Sequence, residues 1–215
     1  MNVFILCTGR CGSMTFEKAC LHITNFTTAH ESRANKLGDE RVNYPNYHIE
    51  SDNRLLWFLP RLESQFIDKP VFYVHLKRND EEVAQSYSKR FSKGLIMPAY
   101  SEGIILNGPS LTDEWKLSYA RDYVRNANET INQFLKNKKN SIDIDIENLE
   151  EGFKLFWQRI GAQGDLDSAL KELNQKYNYS GSGGKHEIKE PHFIVRGTHK
   201  FIRFLKLLPG TFKIA

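Results

Sequence analysis

The chain has 215 residues, 40% of them hydrophobic and 26% charged, with 30 Lys and Arg against 26 Asp and Glu. That length suits one domain, or one domain with an appendage, and the composition suits an ordinary globular core rather than a disordered or fibrous chain. No apolar run reaches the length of a membrane span, and the first strand begins without the basic start and long apolar segment of a secretory signal, so a cytoplasmic protein is expected.

The predicted elements follow in chain order. Val3–Cys7 is an apolar run without alternation, the pattern of a strand buried on both faces of a parallel sheet. A loop holding Gly9, Arg10, Gly12, Ser13 and Thr15 comes next, then Phe16, Ala19, Cys20 and Ile23 at helical spacing. The segment Thr28–Ser32 stands where a second strand would end near the first loop. Leu55, Leu59, Leu62 and Phe66 fit a helix that Pro60 would kink or interrupt. Val71–Leu76 repeats the pattern of the first strand. Val83, Ala84, Tyr87 and Phe91 then share one helical face, with Asp80, Glu81 and Glu82 favouring the helix start.

Residues 93–111 contain Gly94, Pro98, Gly103, Gly108 and Pro109 and read as a long irregular insertion, a kind of segment that often carries function. A long helix follows, capped near Ser110 or Thr112, with Tyr119, Tyr123, Ala127, Ile131 and Phe134 on one face. Ser141–Glu147 alternates Ile with Asp or Glu, as a half-exposed strand does. Helices are expected near 149–160 and 165–177. Ser180–Gly184 reads as a hinge or loop, and Thr198–Leu208 as a short basic amphipathic helix. The strand–helix alternation predicts an α/β fold: a single three-layer domain with a mainly parallel central sheet over residues 1–180, and a basic segment, 181–215, packed on the same domain. Residues 185–215 hold seven Lys or Arg against two Asp or Glu. That tail could serve an anionic cofactor, an acidic substrate or peripheral contact with a membrane surface. Cys7, Cys11 and Cys20 lack zinc-finger spacing and read as reduced thiols.

The chemistry concentrates in two strand–turn–helix units. In the first, Gly9 and Gly12 let the backbone approach a ligand closely, Ser13 and Thr15 supply hydroxyls, and the helix start presents unpaired N–H groups, so the unit suits a phosphate. It is not the usual triphosphate loop: Gly12 is followed by Ser13, with no Lys, and Arg10 sits earlier instead. In the second unit, Arg78 ends the strand and Ser86 lies eight residues on, inside the helix.

Together these residues resemble the sulfotransferases that use 3′-phosphoadenosine 5′-phosphosulfate (PAPS). Arg10-Cys11-Gly12-Ser13-Met14-Thr15 is similar to that family's loop for the 5′-phosphosulfate, and Arg78 with Ser86 to its grip on the 3′-phosphate. The resemblance covers residues 1–175 and implies a P-loop-like architecture. It implies that Gly9, Arg10, Cys11, Gly12, Ser13, Met14 and Thr15 hold the phosphosulfate, with Cys11 replacing a small Ser. It implies that Arg10 meets the leaving phosphate–sulfate bridge with a permanent charge. Glu31 resembles the catalytic Glu of the tyrosylprotein branch. His30 could do the same work as general base, since imidazole titrates near neutral pH. His48, Glu50 and Asp52 are weaker candidates. Sulfuryl transfer from PAPS does not require a metal in principle, and no metal-ligand spacing is seen.

The family's late Arg-Lys-Gly loop has no clean copy; Lys185 or Arg196-Gly197 is the candidate substitute. The implied acceptor is a hydroxyl, or in second place an amine, on a small molecule or carbohydrate, with pocket residues drawn from 33–50 and 93–111; no nucleic acid is expected. Three rival readings stand beside this one: a kinase-like nucleotide-dependent enzyme, a non-catalytic module binding PAPS or 3′-phosphoadenosine 5′-phosphate (PAP), and a membrane or acidic-glycan binder working through the basic tail.

Overall fold

In the computed structural model, which describes residues 1–106 and 112–175, the two apolar runs become the central strands β1 (Asn2–Leu6) and β4 (Val71–Lys77). Three more strands join them: β2 (Thr27–His30), β3 (His48–Ser51) and β5 (Ser141–Asp145). The order is β2-β3-β1-β4-β5, and every pairing is parallel. β1 therefore sits in the middle with a strand on either side, which explains its unbroken hydrophobicity. The edge strand β5 keeps Ile144 buried and Asp143 and Asp145 outward, as its alternation predicts.

Alternate residues of β1 feed two cores. Val3 and Ile5 pack on the face covered by α1 (Ser13–Cys20) and by two later helices of the same layer, α6 (Leu149–Arg159) and α7 (Leu166–Leu173). Phe4 and Leu6 pack on the opposite face, under α2 (Leu59–Gln65), α3 (Asp80–Ser88), the short α4 (Ile96–Pro98) and α5 (Asp113–Leu135). The result is a three-layer α/β domain. Aromatic rings lock both layers, with Phe16 5.1 Å from Phe153 and Phe4 5.1 Å from Phe66. Edge-on pairs of this kind add about 0.5–1.5 kcal/mol each beyond the area they bury.

Several local expectations need correction. The helical run 55–66 is interrupted beside Pro60, as expected, but α2 itself is not broken. A 3-10 turn, Asn53–Phe58, runs into α2, and Pro60 stands in its first turn, where a missing N–H costs nothing. The segment 93–111 is not irregular throughout: α4 continues directly into a π-helical stretch, Ala99–Ile104, because Met97 and Tyr100 find burial against α5. β3 was not foreseen as a strand, since its His-Ile-Glu-Ser sequence looks polar. Thr112 caps α5 by accepting from the Trp115 N–H at 3.3 Å. The Ser180–Gly184 hinge, the 198–208 helix, Ser110, Lys185, Arg196 and the basic tail lie outside the described residues. No helix of the described residues is long and apolar enough to cross a membrane.

Candidate functional site

The crossovers decide where a ligand can bind. After β1 the chain leaves to the α1 face; after β3 and after β4 it leaves to the opposite face. Adjacent parallel strands whose connections part in this way open a crevice at their carboxyl ends. A cleft of about 260 Å³ lies there. It is lined by Gly9, Arg10, Ser13 and Met14 from the β1–α1 loop, by His30 and Glu31 at the end of β2, and by Asn53 and Arg54 after β3. Tyr87, Arg90 and residues 93–97 close its other side.

The loop is built to one shape. Gly9, Arg10 and Gly12 all have left-handed backbones, with φ of 79°, 61° and 81°. At Gly9 this shape also excludes a side chain: a Cβ would run into the Tyr87 hydroxyl and come within 2.8 Å of Asn53 Nδ2. Two buried phenols brace the same turn. Tyr87 and Tyr123 each donate to the Thr8 carbonyl, at 2.7 and 2.9 Å. Burial pushes both hydroxyls above the usual tyrosine range, so they remain donors at any physiological pH. Gly12 is the N-cap of α1, and no side chain caps that helix start. No acidic residue occupies its first turn either. Both features suit an anion at the helix N-terminus.

Cys11 plays a part the sequence does not reveal. Cys11 is fully buried and does not line the cleft. Interaction with the Cys7 side chain, helped by main-chain groups of Gly9, Cys11 and Ser13, holds the Cys11 thiol below its ordinary range, while interaction with Cys11 and burial push Cys7 up. Cys11 thus props the loop from inside. Thr15 is buried in the first turn of α1.

The two motifs 76 residues apart meet at Arg10. Its Nε donates to Ser86 Oγ at 3.0 Å, and Arg78 Nη1 donates to the Arg10 carbonyl at 3.3 Å. Burial, with the Arg90 cation close by, draws the Arg10 guanidinium below its ordinary range. Arg78 also donates twice to Glu82 Oε2, at 2.6 and 2.8 Å. Arg78 and Ser86 do not line the cleft; they flank the loop on its β4 side, while Glu31 and His30 lie across the cleft on its β2 side.

Glu31 is held in a strained conformation, φ 51°, that costs a non-glycine residue about 1–2 kcal/mol. Its carboxylate pairs with Arg54 Nη1 at 2.6 Å. The support lies underneath. Glu50 is fully buried and accepts from the Ser32 N–H at 2.7 Å and the Ser32 hydroxyl at 2.6 Å; His48 Nε2 lies 2.9 Å from the same carboxylate. His48 and Glu50 are therefore parts of the scaffold that positions the Glu31 turn. Asp52 is likewise structural: Arg41 Nη2 donates to it at 2.6 Å inside the protein, and burial raises its carboxyl while Arg41 opposes the rise.

That buried ion pair explains why residues 33–50 do not line the cleft as expected. Arg41, 1% exposed, ties the segment down to Asp52 and Tyr44 and lies over the Phe58 ring. Of the two stretches expected to supply the pocket, only 93–111 does so, through residues 93–97. Asn53 and Arg54 carry no signal in the sequence, because β3, the strand that places them, looks polar. Arg90 had a signal: it stands one helical turn beyond Ser86. Comparison with family models, with curated proteins and with solved structures finds no match. Among the described residues no group of His, Cys, Asp or Glu is arranged to hold a metal ion.

Proposed function

We propose that the protein is a PAPS-dependent sulfotransferase that moves the sulfuryl group to an acceptor hydroxyl, or in second place an amine, and releases PAP. The observation that carries this reading is the convergence at Arg10: the glycine-rich loop, Ser86 and Arg78, separate in sequence, are joined by hydrogen bonds at the carboxyl ends of the central strands. A phosphosulfate fits the uncapped start of α1 and the left-handed loop before it. A 3′-phosphate fits Arg78 and Ser86, with Arg78 turning from Glu82 to the ligand.

PAPS supplies an activated sulfur–oxygen bond. The acceptor oxygen forms a new bond to sulfur as the bond to the phosphate oxygen breaks, and the acceptor proton must leave. Arg10 would stabilise charge on the departing phosphate. Glu31 or His30, across the cleft, would take the proton. Arg54 holds Glu31 in place for that task. The P-loop-like classification and a cytoplasmic location belong to the same proposal.

Calorimetric titration with PAP, with ATP and AMP as controls, tests the reading. PAP should bind at least tenfold more tightly than either control, and Arg78→Ala should lose most of that preference. No PAP binding, or a preference for ATP, overturns it and favours the kinase-like alternative.

A further inference from the structure

The cleft carries more positive charge than the transferred group requires. Among the described residues four cations line it: Arg10, Arg54, Arg90 and Lys93. Among the same residues one carboxylate does, Glu31, and Arg54 already neutralises it at 2.6 Å. Arg10 belongs to the loop and is hydrogen-bonded to Ser86. Arg90 and Lys93 remain. Neither has an acidic partner among the described residues, although Arg78, Arg121 and Arg125, on the neighbouring helices or next to them, each have one.

Their position separates them from the expected 3′-phosphate grip, although the phosphosulfate loop lines the same cleft. The expected 3′-phosphate residues flank the loop on the β4 side and do not line the cleft. Arg90 and Lys93 face the same cleft as Glu31 and His30, the residues placed to receive the acceptor's proton. Clustered cations without counter-ions repel one another, and a ligand anion removes that cost.

We infer that Arg90 and Lys93 form an anion-binding subsite for the acceptor, so that the preferred acceptor is a small polar molecule bearing its own carboxylate or sulfate near the reacting hydroxyl. This inference rests on the sulfotransferase reading above. The two cations orient the acceptor by its charge and present the hydroxyl to Glu31 or His30. They also discriminate against neutral acceptors of the same shape.

Three probes on one sugar scaffold test this on the PAP-saturated protein: methyl β-D-glucoside, methyl β-D-glucuronide and the 6-sulfate of the glucoside. Dissociation constants are measured by calorimetry or ligand-observed NMR. At least one charged probe should bind about tenfold more tightly than the neutral one, and the charged pair then distinguishes carboxylate from sulfate. In Arg90→Gln/Lys93→Gln that preference should vanish, with PAP affinity within twofold of wild type. Equal affinity for all three probes, no binding of any, or a preference that survives the double substitution overturns the subsite. A tenfold loss of PAP affinity in the double variant also overturns it, because the cations then serve the nucleotide. The PAP titration stands apart: if PAP itself does not bind, the sulfotransferase reading fails first.

Discussion

Gly9→Ala isolates the most constrained point of the loop. Two costs combine there. An alanine at φ 79° pays about 1–2 kcal/mol for the left-handed backbone. Its Cβ must also displace the Tyr87 hydroxyl, which breaks that group's 2.7 Å bond to the Thr8 carbonyl. The carbonyl keeps its bond from Tyr123, so only the buried Tyr87 hydroxyl loses its partner, at about 1 kcal/mol. The total is about 2–3 kcal/mol. Gly38 supplies the control: its φ is 57°, but nothing lies within 4 Å of its would-be Cβ. Gly38→Ala should therefore cost only the backbone share. Urea unfolding of the two variants gives the comparison, and PAP titration gives the second readout. Gly9→Ala should weaken PAP at least tenfold while Gly38→Ala leaves it unchanged. Equal stability losses would refute the steric argument, since the Tyr87–Thr8 brace would then yield freely. Unchanged PAP affinity in Gly9→Ala would separate the loop from ligand binding.

Two further expectations concern single side chains. His75 is fully buried on β4, with Nε2 3.2 Å from Asn128 Oδ1 and Nδ1 4.0 Å from Asp143 Oδ1. Burial lowers its pKa, so the unfolded chain takes up the proton first. Stability present above about pH 6.5 is then lost as pH falls through the histidine range, and His75→Gln should flatten that decline in urea midpoints between pH 7.5 and 5. An identical decline in wild type and variant would show that His75 does not set it. Glu31→Gln should keep PAP affinity within twofold but lower sulfuryl transfer from labelled PAPS, with the tightest-binding acceptor, by about 10²–10⁴. Turnover left intact in Glu31→Gln but lost in His30→Gln would assign the base to His30.

The sequence by itself determined the layered α/β plan, because the runs Val3–Cys7 and Val71–Leu76, apolar but for His75, lack alternation and are best buried on both faces. It also located the loop, since the residue types that tolerate left-handed turns and bare helix starts are few and local. The Thr112 cap and the outward Asp143 and Asp145 of β5 were legible for the same reason: each depends on near neighbours. Only the tertiary structure decided the rest. β3 was hidden because its buried His48 and Glu50 are satisfied by Thr27 and Ser32, partners on a different strand and turn. Residues 33–50 were expected at the cleft, and a buried Arg41–Asp52 pair holds them elsewhere. Nothing near Arg10 in sequence says that Ser86 meets it, or that Arg90 and Lys93 face Glu31 across a cleft. Those meetings follow from strand order and crossover direction, which bring distant residues to the carboxyl ends of the central strands. Periodicity reports which way a side chain points, and only the packed sheet determines what it points at.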